Sequence, residues 1–153
     1  MGKILISACL CGINCKYNGG NNLNENIKKL YDEGKAILVC PEVLGGLKTP
    51  RIPREIINGN GKKVLEGKAK VVSKEGEDTT KAFLKGAMET LKIAKENNIK
   101  IAILKAKSPS CGKGFIYSGD FNGKLVEGNG VTTELLIQNG IKVLNEKNYM
   151  GEF

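Results

Sequence analysis

Short apolar runs recur along the chain, and each is bounded by glycine, proline, asparagine or charged residues. Aliphatic and β-branched runs of this length, framed by turn-forming residues, are typical of buried strands. We predict strands at residues 3–7, 36–40, 99–104 and 141–144, with weaker candidates at 68–74 and 115–117. No regular pattern is found between Gly45 and Gly76 apart from the weak candidate at 68–74.

Three stretches between the strands have apolar residues at helical spacing. Asn24 is predicted to cap a helix that runs to about Asp32, with Ile27, Leu30 and Tyr31 on one face. A longer helix is predicted from Asp78 or Thr79 to about Asn98, and a third from Val131 to Gln138. The apolar stripe of the long helix consists of Phe83, Ala87, Leu91 and Ala94.

The order of these elements predicts an α/β fold. A strand–helix–strand unit over residues 3–40 forces its two strands to run parallel in nearly all cases. We therefore expect one domain over residues 1–153, with a Rossmann-like, mostly parallel sheet and helices on both faces. In open sheets of this type, ligands bind at the carboxyl ends of the strands.

The amino-acid composition limits the class of protein and the kinds of catalytic and metal sites that this chain can form. Of 153 residues, 41% are hydrophobic and 26% are charged, which is typical of a globular protein. No apolar stretch approaches the ~20 residues that span a bilayer, and the N-terminal run is too short for a signal peptide, so we expect a cytoplasmic protein with no membrane partner. The five cysteines are an odd number, which favours metal binding or catalysis over disulfides. The absence of histidine excludes histidine-based catalysis and histidine metal sites.

The formal net charge of +8 indicates an affinity for anions. Anionic small substrates, nucleotides and RNA are all compatible with it, as is a generally lysine-rich surface. Only four phenylalanines, four tyrosines and no tryptophan are available to stack on bases. RNA therefore stays possible as a partner but is not favoured.

Three cysteines follow three different predicted strands. Cys9, Cys40 and Cys111 each lie at or within a few residues of a strand's carboxyl end, so parallel strands would bring the three thiols to one sheet edge. Thiolates select iron–sulfur clusters, zinc or copper(I). The spacing of Cys9, Cys11 and Cys15 matches neither a ferredoxin nor a zinc-knuckle motif. We interpret Cys11 as a buried apolar residue and Cys15 as a bystander, although either could be a further ligand.

Two polar residues accompany these cysteines. A cluster with only three thiolate ligands leaves one iron open, which converts an electron carrier into a Lewis acid. Glu42 lies two residues after Cys40, and Ser108 lies three before Cys111. A carboxylate at such an iron can take a proton from water, and a hydroxyl can hold a substrate atom. We predict Glu42 and Ser108 as the catalytic residues.

Several blocks of this sequence resemble the thiouracil desulfidase family. They are Ser7–Leu10, Cys15–Asn21, Val39–Leu47, Thr49–Arg51, Gly76–Ala87, Leu104–Gly112 and Gly128–Thr132. The resemblance implies a [4Fe-4S] cluster held by Cys9, Cys40 and Cys111, with the acid at Glu42 and the hydroxyl at Ser108. It also implies that sulfur is removed from a thiolated pyrimidine without net redox chemistry.

The hypothesis that follows is hydrolytic removal of sulfur from a 2-thiouracil or 4-thiouracil type of substrate, giving the oxo-pyrimidine and hydrogen sulfide. The substrate would be a free base or a nucleotide, and a phosphate would be bound by Asn18, Gly19, Gly20, Asn21, Arg51 and Arg54. Two alternatives stay open. One is a cysteine-ligated metal domain that binds nucleic acid, and the other is a thiol redox or sulfur-carrier protein.

Overall fold

The structure is a computed structural model that describes residues 2–150. In chain order its elements are β1 (Ile4–Ser7), a 3-10 turn (Ala8–Cys11), α1 (Glu25–Asp32), β2 (Ala36–Val39), α2 (Pro41–Leu44), β3 (Arg54–Ile57), α3 (Gly61–Leu65), β4 (Lys70–Ser73), α4 (Thr80–Glu96), β5 (Ile101–Leu104), β6 (Phe115–Tyr117), β7 (Leu125–Glu127), α5 (Val131–Gln138) and β8 (Lys142–Asn145).

The central sheet has four strands, all parallel, in the order β2-β1-β5-β8. In the middle of the sheet, Ile6 of β1 pairs with Leu38 on one side and Ile103 on the other. Strands of this kind are buried on both faces, which explains why the chain shows continuous aliphatic runs and not alternation. The predicted strands at residues 3–7, 36–40, 99–104 and 141–144 are confirmed, with ends that differ by one or two residues.

Helices cover both faces of this sheet, as predicted. On one face Ile27 of α1 is fully buried in a cluster with Ile4, Ile6 and Ile103. On the other face α4 and α5 pack over Leu5 and Ala102. The predicted apolar stripe of α4 is confirmed, because its four members are all buried: Phe83, Ala87, Leu91 and Ala94.

The prediction for α1 needs one correction. Ile27 is buried and Leu30 is partly buried, but the side chain of Tyr31 is 44% exposed. The helical spacing alone predicted an apolar face that included Tyr31, but only the narrower stripe around Ile27 packs against the core. The cap is as expected, because the Asn24 side chain accepts hydrogen bonds from the amides of Asn26 and Ile27.

Besides the 3-10 turn at Ala8–Cys11, four short elements were not predicted, and three of them lie between Gly45 and Gly76 or follow Gly114. β3 pairs with β4 in an antiparallel ribbon, α3 connects them, and β6 pairs with β7. The fourth is α2, a single turn directly after Cys40. Such elements are too short for a periodic signal.

No helix within residues 2–150 is long and apolar enough to cross a membrane. That the whole chain forms one domain stays a prediction.

Candidate active site

The candidate site lies where the strand order reverses. β2 lies on one side of β1, whereas the later strands β5 and β8 lie on the other side of β1. Loops that leave the carboxyl ends of β1 and β5 therefore diverge and open a crevice, which is the usual ligand site of an open parallel sheet. Cys9 follows β1, Cys40 follows β2, and Cys111 follows β5.

A cavity of about 370 Å³ occupies this crevice. Its wall contains all three predicted ligands and both predicted catalytic residues: Cys9, Cys40, Cys111, Glu42 and Ser108. The structure thus brings together residues that are up to 102 positions apart in the sequence. Further lining residues include Ser7, Cys15, Lys16, Tyr17, Asn22, Arg51, Arg54, Lys105 and Tyr117.

Cys40 occupies the N-cap of α2, and Pro41 begins the helix. Proline is favoured at this position because the first helical amides have no partner within the helix. The pKa of the Cys40 thiol is lowered to about 7, mainly by a hydrogen bond from the side chain of Cys15. The amide of Val43 and the charge of Arg51 also lower this pKa, while burial and Glu42 oppose the shift. Cys40 is therefore readily deprotonated, as a metal ligand must be.

Cys15 was missed as a member of this group. It lines the same cavity as Cys9 and Cys40, close enough to influence the pKa of both thiols. The interaction with Cys15 is the main cause that lowers the pKa of Cys9, and the same contacts raise the pKa of Cys15 itself. The backbone oxygen of Cys15 also accepts a hydrogen bond from Cys40 Sγ at 3.8 Å. Cys15 therefore favours deprotonation of Cys9 and Cys40 while its own thiol keeps its proton.

Cys11 takes no part in this arrangement. It is 4% exposed and packs in the cluster that contains Ile27 and Leu10. Burial raises the pKa of its thiol, as expected for an apolar environment. This agrees with the interpretation of Cys11 as a buried apolar residue.

Cys111 is held by hydroxyl groups. Ser7 Oγ accepts a hydrogen bond from the amide of Lys105 at 2.9 Å and donates one to Cys111 Sγ at 3.7 Å. Burial raises the pKa of the Cys111 thiol to about 12, and the hydrogen bond from Ser7 only partly offsets this. The carbonyl of Cys111 accepts a hydrogen bond from Thr133 Oγ1 at 2.7 Å, which fixes its loop to α5. Without a bound cation, therefore, Cys111 stays a neutral thiol at neutral pH.

The two predicted catalytic residues have free hydrogen-bonding capacity. Glu42 Oε1 accepts from Arg51 Nε at 3.2 Å, and its side chain is 19% exposed. Ser108 Oγ accepts from the amide of Cys111 at 2.8 Å, so the hydroxyl proton remains available for donation. Within the described chain neither Glu42 Oε2 nor that proton has a recorded protein partner. Both groups can therefore serve a molecule in the cavity.

The predicted phosphate loop lies beside the cavity wall, not on it. Among the described residues, Lys16, Tyr17 and Asn22 line the cavity, whereas Asn18, Gly19, Gly20 and Asn21 do not. The side chain of Asn18 accepts from the amide of Gly20, and that of Asn21 bonds Asn14 and Leu23, so these groups serve the turn itself. Their contact with a substrate stays a prediction.

The donor set fits an iron–sulfur cluster. Thiols are its preferred ligands, and three of them from separate strand ends face one cavity. Across residues 2–150, no group of three His, Cys, Asp or Glu side chains could hold a metal ion. A cluster does not require such a group, because each cysteine binds a different iron.

The parallel sheet and the thiol-lined crevice at its topological switch point place the chain in the class of α/β proteins that bind a ligand at the carboxyl ends of their strands. Three comparisons define the family. A sequence model described as 2-thiouracil desulfurase matches residues 4–148. An uncharacterized protein of Bacillus subtilis (strain 168), YbbK, is 54% identical over 143 residues, which cover 94% of this chain and 95% of that protein. The solved structure of TudS, a [4Fe-4S]-dependent thiouracil desulfidase, aligns with a TM-score of 0.87 and 39% identity over 99% of this chain and 95% of that one.

The chain therefore belongs to the 2-thiouracil desulfurase family. The TudS match also agrees with the predicted α/β architecture over nearly the full length.

Proposed function

We propose that this protein is a [4Fe-4S]-dependent thiouracil desulfidase, with Cys9, Cys40 and Cys111 as the ligands of the cluster. One observation carries the proposal: three thiols delivered by three different strand ends share one cavity wall with Glu42 and Ser108. The membership of the family and the likeness to TudS support the same activity. The reaction exchanges the thiocarbonyl sulfur of a 2-thiouracil or 4-thiouracil type of ring for the oxygen of water.

Cys9, Cys40 and Cys111 would hold the cluster, which when bound would supply Lewis-acid activation of the carbon–sulfur bond. Glu42 takes a proton from a water molecule, and the resulting hydroxide attacks the ring carbon. The carbon–sulfur bond breaks and the water oxygen stays on the ring. The sulfur leaves with both hydrogens of the water as hydrogen sulfide, so no electrons are gained or lost overall.

Ser108 orients the ring. Since its oxygen already accepts from the amide of Cys111, the hydroxyl proton points to an acceptor elsewhere, and a ring oxygen or nitrogen in the cavity fills that role. The same hydrogen bond ties the orienting hydroxyl to the loop that carries a cluster ligand. Substrate and ligand are thus positioned by one segment.

The substrate is a free thiolated base or its nucleotide. Arg54 lies on the cavity wall with a side chain only 8% exposed, and its Nε is buried without a hydrogen-bond partner. A buried, underused guanidinium favours an anionic group such as a phosphate nearby. Asn18, Gly19, Gly20 and Asn21 are proposed to approach the same group from the neighbouring loop.

The test is anaerobic purification and reconstitution, followed by iron analysis and turnover. We expect a brown protein with about four irons per chain. It should release sulfide and the oxo-pyrimidine from 2-thiouracil, 4-thiouracil or 4-thiouridine monophosphate. A colourless preparation with one zinc would overturn the cluster, and an intact cluster without turnover of all three compounds would overturn the activity.

Two alanine variants make a matched pair. Cys40→Ala removes a proposed ligand and should abolish the colour and the bound iron. Cys11→Ala removes a thiol that packs in the core and should keep both, at some cost in stability. Loss of iron in both variants would show that the assay reports folding and not ligation.

One observation favours a second candidate, a thiol redox function. Cys9, Cys15 and Cys40 line one cavity, and Cys40 Sγ lies 3.8 Å from the carbonyl oxygen of Cys15, which favours a disulfide between two of these thiols in the metal-free protein. Mass spectrometry after treatment with oxidised glutathione would detect it. A disulfide that forms and is reduced in cycles, in a protein that takes up no iron, would support this candidate over the desulfidase.

A further inference from the structure

We propose that Arg51 is a positioning residue, which holds Glu42 and the Cys15 loop in place, and not a residue that binds substrate. This inference rests on the proposed function, in which Glu42 accepts a proton from water. It assigns to Arg51 a role that differs from the phosphate contact expected from the sequence.

The guanidinium of Arg51 is almost fully used by the protein. Nε donates to Glu42 Oε1 at 3.2 Å, and Nη2 donates to the carbonyl of Cys15 at 2.8 Å. Nη1 donates to Thr49 Oγ1 at 2.9 Å and to the carbonyl of Lys48 at 3.3 Å. A guanidinium has five N–H groups, and these contacts occupy all three nitrogens. A phosphate could obtain a bidentate contact only by displacing protein partners.

Burial strengthens this arrangement. The side chain of Arg51 is 5% exposed, and that of Glu42 is 19% exposed. Ion pairs shielded from water are screened less than surface pairs, and removal of one partner leaves the other uncompensated. The backbone of Arg51 is fixed as well, because its amide donates to the carbonyl of Tyr17 at 2.6 Å. Main chain and side chain of this residue therefore lock the same loop.

Glu42 depends on this contact. It lies in α2, a helix of only four residues. Within residues 2–150, Arg51 is the residue that donates a hydrogen bond to its carboxylate. A glutamate without a partner would explore several rotamers and would be placed productively for only a fraction of the time. Arg51 fixes Oε1 and leaves Oε2 for water. Displacement of a catalytic group by about 1 Å can cost on the order of 100-fold in rate.

The second contact links the acid to the thiols. The carbonyl of Cys15 accepts both from Arg51 Nη2 and from Cys40 Sγ. Arg51 thus connects Glu42 with the loop of Cys15, which lines the cavity together with Cys9 and Cys40. One side chain therefore bonds both the acid and the carbonyl to which Cys40 Sγ donates.

Arg54 provides a contrast three residues further on. Its Nη1 donates to the carbonyl of Ile52 at 2.6 Å, its Nη2 lies 3.6 Å from Glu77, which is 71% exposed, and its Nε has no partner. Of the two arginines on the cavity wall, Arg54 retains the capacity to bind an anion. The two side chains therefore have separable roles.

Kinetics of Arg51→Ala test the proposal. We expect kcat for 2-thiouracil to fall by about 10- to 100-fold while KM changes less than about threefold. The iron content and the visible spectrum of the reconstituted enzyme should be unchanged. Millimolar guanidinium chloride should restore part of the rate, since it can occupy the vacated space. A large rise in KM with an unchanged kcat would overturn the proposal in favour of substrate binding.

A double-mutant cycle adds a readout that a general structural role would not give. If Arg51 acts through Glu42, then Arg51→Ala in a Glu42→Gln background should change kcat little beyond the effect of Glu42→Gln alone. If kcat of the double variant falls by the product of the two single effects, the two residues act independently and the proposal is wrong. Arg51→Lys keeps the charge but loses the fork, and it should lie between the wild type and Arg51→Ala; it also serves if the alanine variant folds poorly.

Amide hydrogen exchange gives an outcome that does not depend on turnover. In Arg51→Ala, peptides that cover residues 15–17 and 41–44 should exchange faster, whereas Lys48→Ala, which removes an exposed charge nearby, should leave them unchanged. Unchanged exchange in Arg51→Ala would overturn the inference. If the wild type has no desulfidase activity, the proposed function fails, and the exchange experiment still decides whether Arg51 holds these segments.

Discussion

Gly45, which caps the carboxyl end of α2, and Gly86 of α4 lie so close to the neighbouring helix that neither position can carry a side chain. A Cβ atom on Gly45 would overlap the carbonyl oxygen of Ala82, and one on Gly86 would overlap that of Pro41. Because α2 begins directly after Cys40 and carries Glu42, this contact packs the helix next to the thiol and the acid against α4.

Gly86→Ala should therefore destabilise the protein, although alanine ordinarily favours a helix by about 1 kcal/mol over glycine. Overlap with the backbone of α2 must be relieved by moving a helix, which costs about 1–3 kcal/mol. Urea unfolding measures the loss. Met88→Ala, at a 58% exposed position two residues later, should change the free energy of unfolding by less than about 0.5 kcal/mol. Equal stability of the two variants would contradict the close contact.

Alkylation of the metal-free protein should follow the lowered pKa of Cys40. Only the thiolate reacts, so a pKa of about 7 makes the rate at Cys40 half-maximal near pH 7, compared with about 8.5 for an ordinary cysteine. Cys111 should stay unmodified up to pH 9, because its pKa is about 12. Peptide mapping after iodoacetamide treatment measures both. In Cys15→Ala the midpoint for Cys40 should move upward, since Cys15 is the main cause of the shift.

The same experiment in 8 M urea is the control. Unfolding removes the contacts with Cys15, and all five cysteines should then react with a common midpoint near the ordinary value of about 8.5. If Cys40 shows the same midpoint in the folded and unfolded protein, its thiol is not perturbed by Cys15.

Glu146 should stabilise the fold in a pH-dependent way. Burial tends to raise the pKa of its carboxyl, but hydrogen bonds from Lys105 Nζ at 2.8 Å and the amide of Ala106 at 2.8 Å outweigh burial and lower the pKa. A lowered pKa means that the stabilisation is present above the unfolded value of about 4.3 and is lost as the pH falls through the folded value.

We therefore expect Glu146→Gln to cost about 1–3 kcal/mol at pH 7 and much less at pH 3, measured by urea unfolding at both values. Glu33→Gln removes an exposed partner of Lys35 and should cost less than about 0.5 kcal/mol at either pH. A cost for Glu146→Gln that stays the same at pH 3 would exclude the charge as its source.

The cap of α1 provides a matched pair of asparagines. Asn24→Ala removes the acceptor for two helix amides and should lower the free energy of unfolding by about 1 kcal/mol. Asn26→Ala lies inside the helix on an exposed face, where alanine is the better helix former, so stability should be unchanged or slightly higher. Equal losses in both variants would show that the cap contributes nothing.

The sheet and the edge at which three thiols lie could both be predicted from the sequence, because both follow from the aliphatic runs that form the strands. Aliphatic runs define strands, and a cysteine directly after a run must emerge at a known edge once the strands are parallel. Cys9 and Cys40 are placed most directly in this way, because they lie within two residues of a strand end, whereas Cys111 follows β5 by seven residues and is held by its loop. Glu42 and Ser108 could be placed because each lies within three residues of one of these cysteines.

Residues in longer loops could not be placed in this way. Cys15 reaches the other thiols only because its loop folds back, with the amides of Asn22 and Asn24 bonded to the carbonyls of Cys9 and Leu10. Arg51 reaches Glu42 from an extended segment with no periodic signal. Such contacts depend on tertiary hydrogen bonds, which leave no trace in the spacing of apolar residues.

The switch of strand order between β1 and β5 has a consequence for biogenesis. The three thiols belong to segments that emerge from the ribosome at widely different times, and the last of them follows a strand completed only after residue 104. No early fragment of the chain holds more than two of them. Loading of any group that needs all three must wait until Cys111 has been synthesised and β1, β2 and β5 have paired, so that insertion of such a group follows assembly of the sheet and cannot precede it.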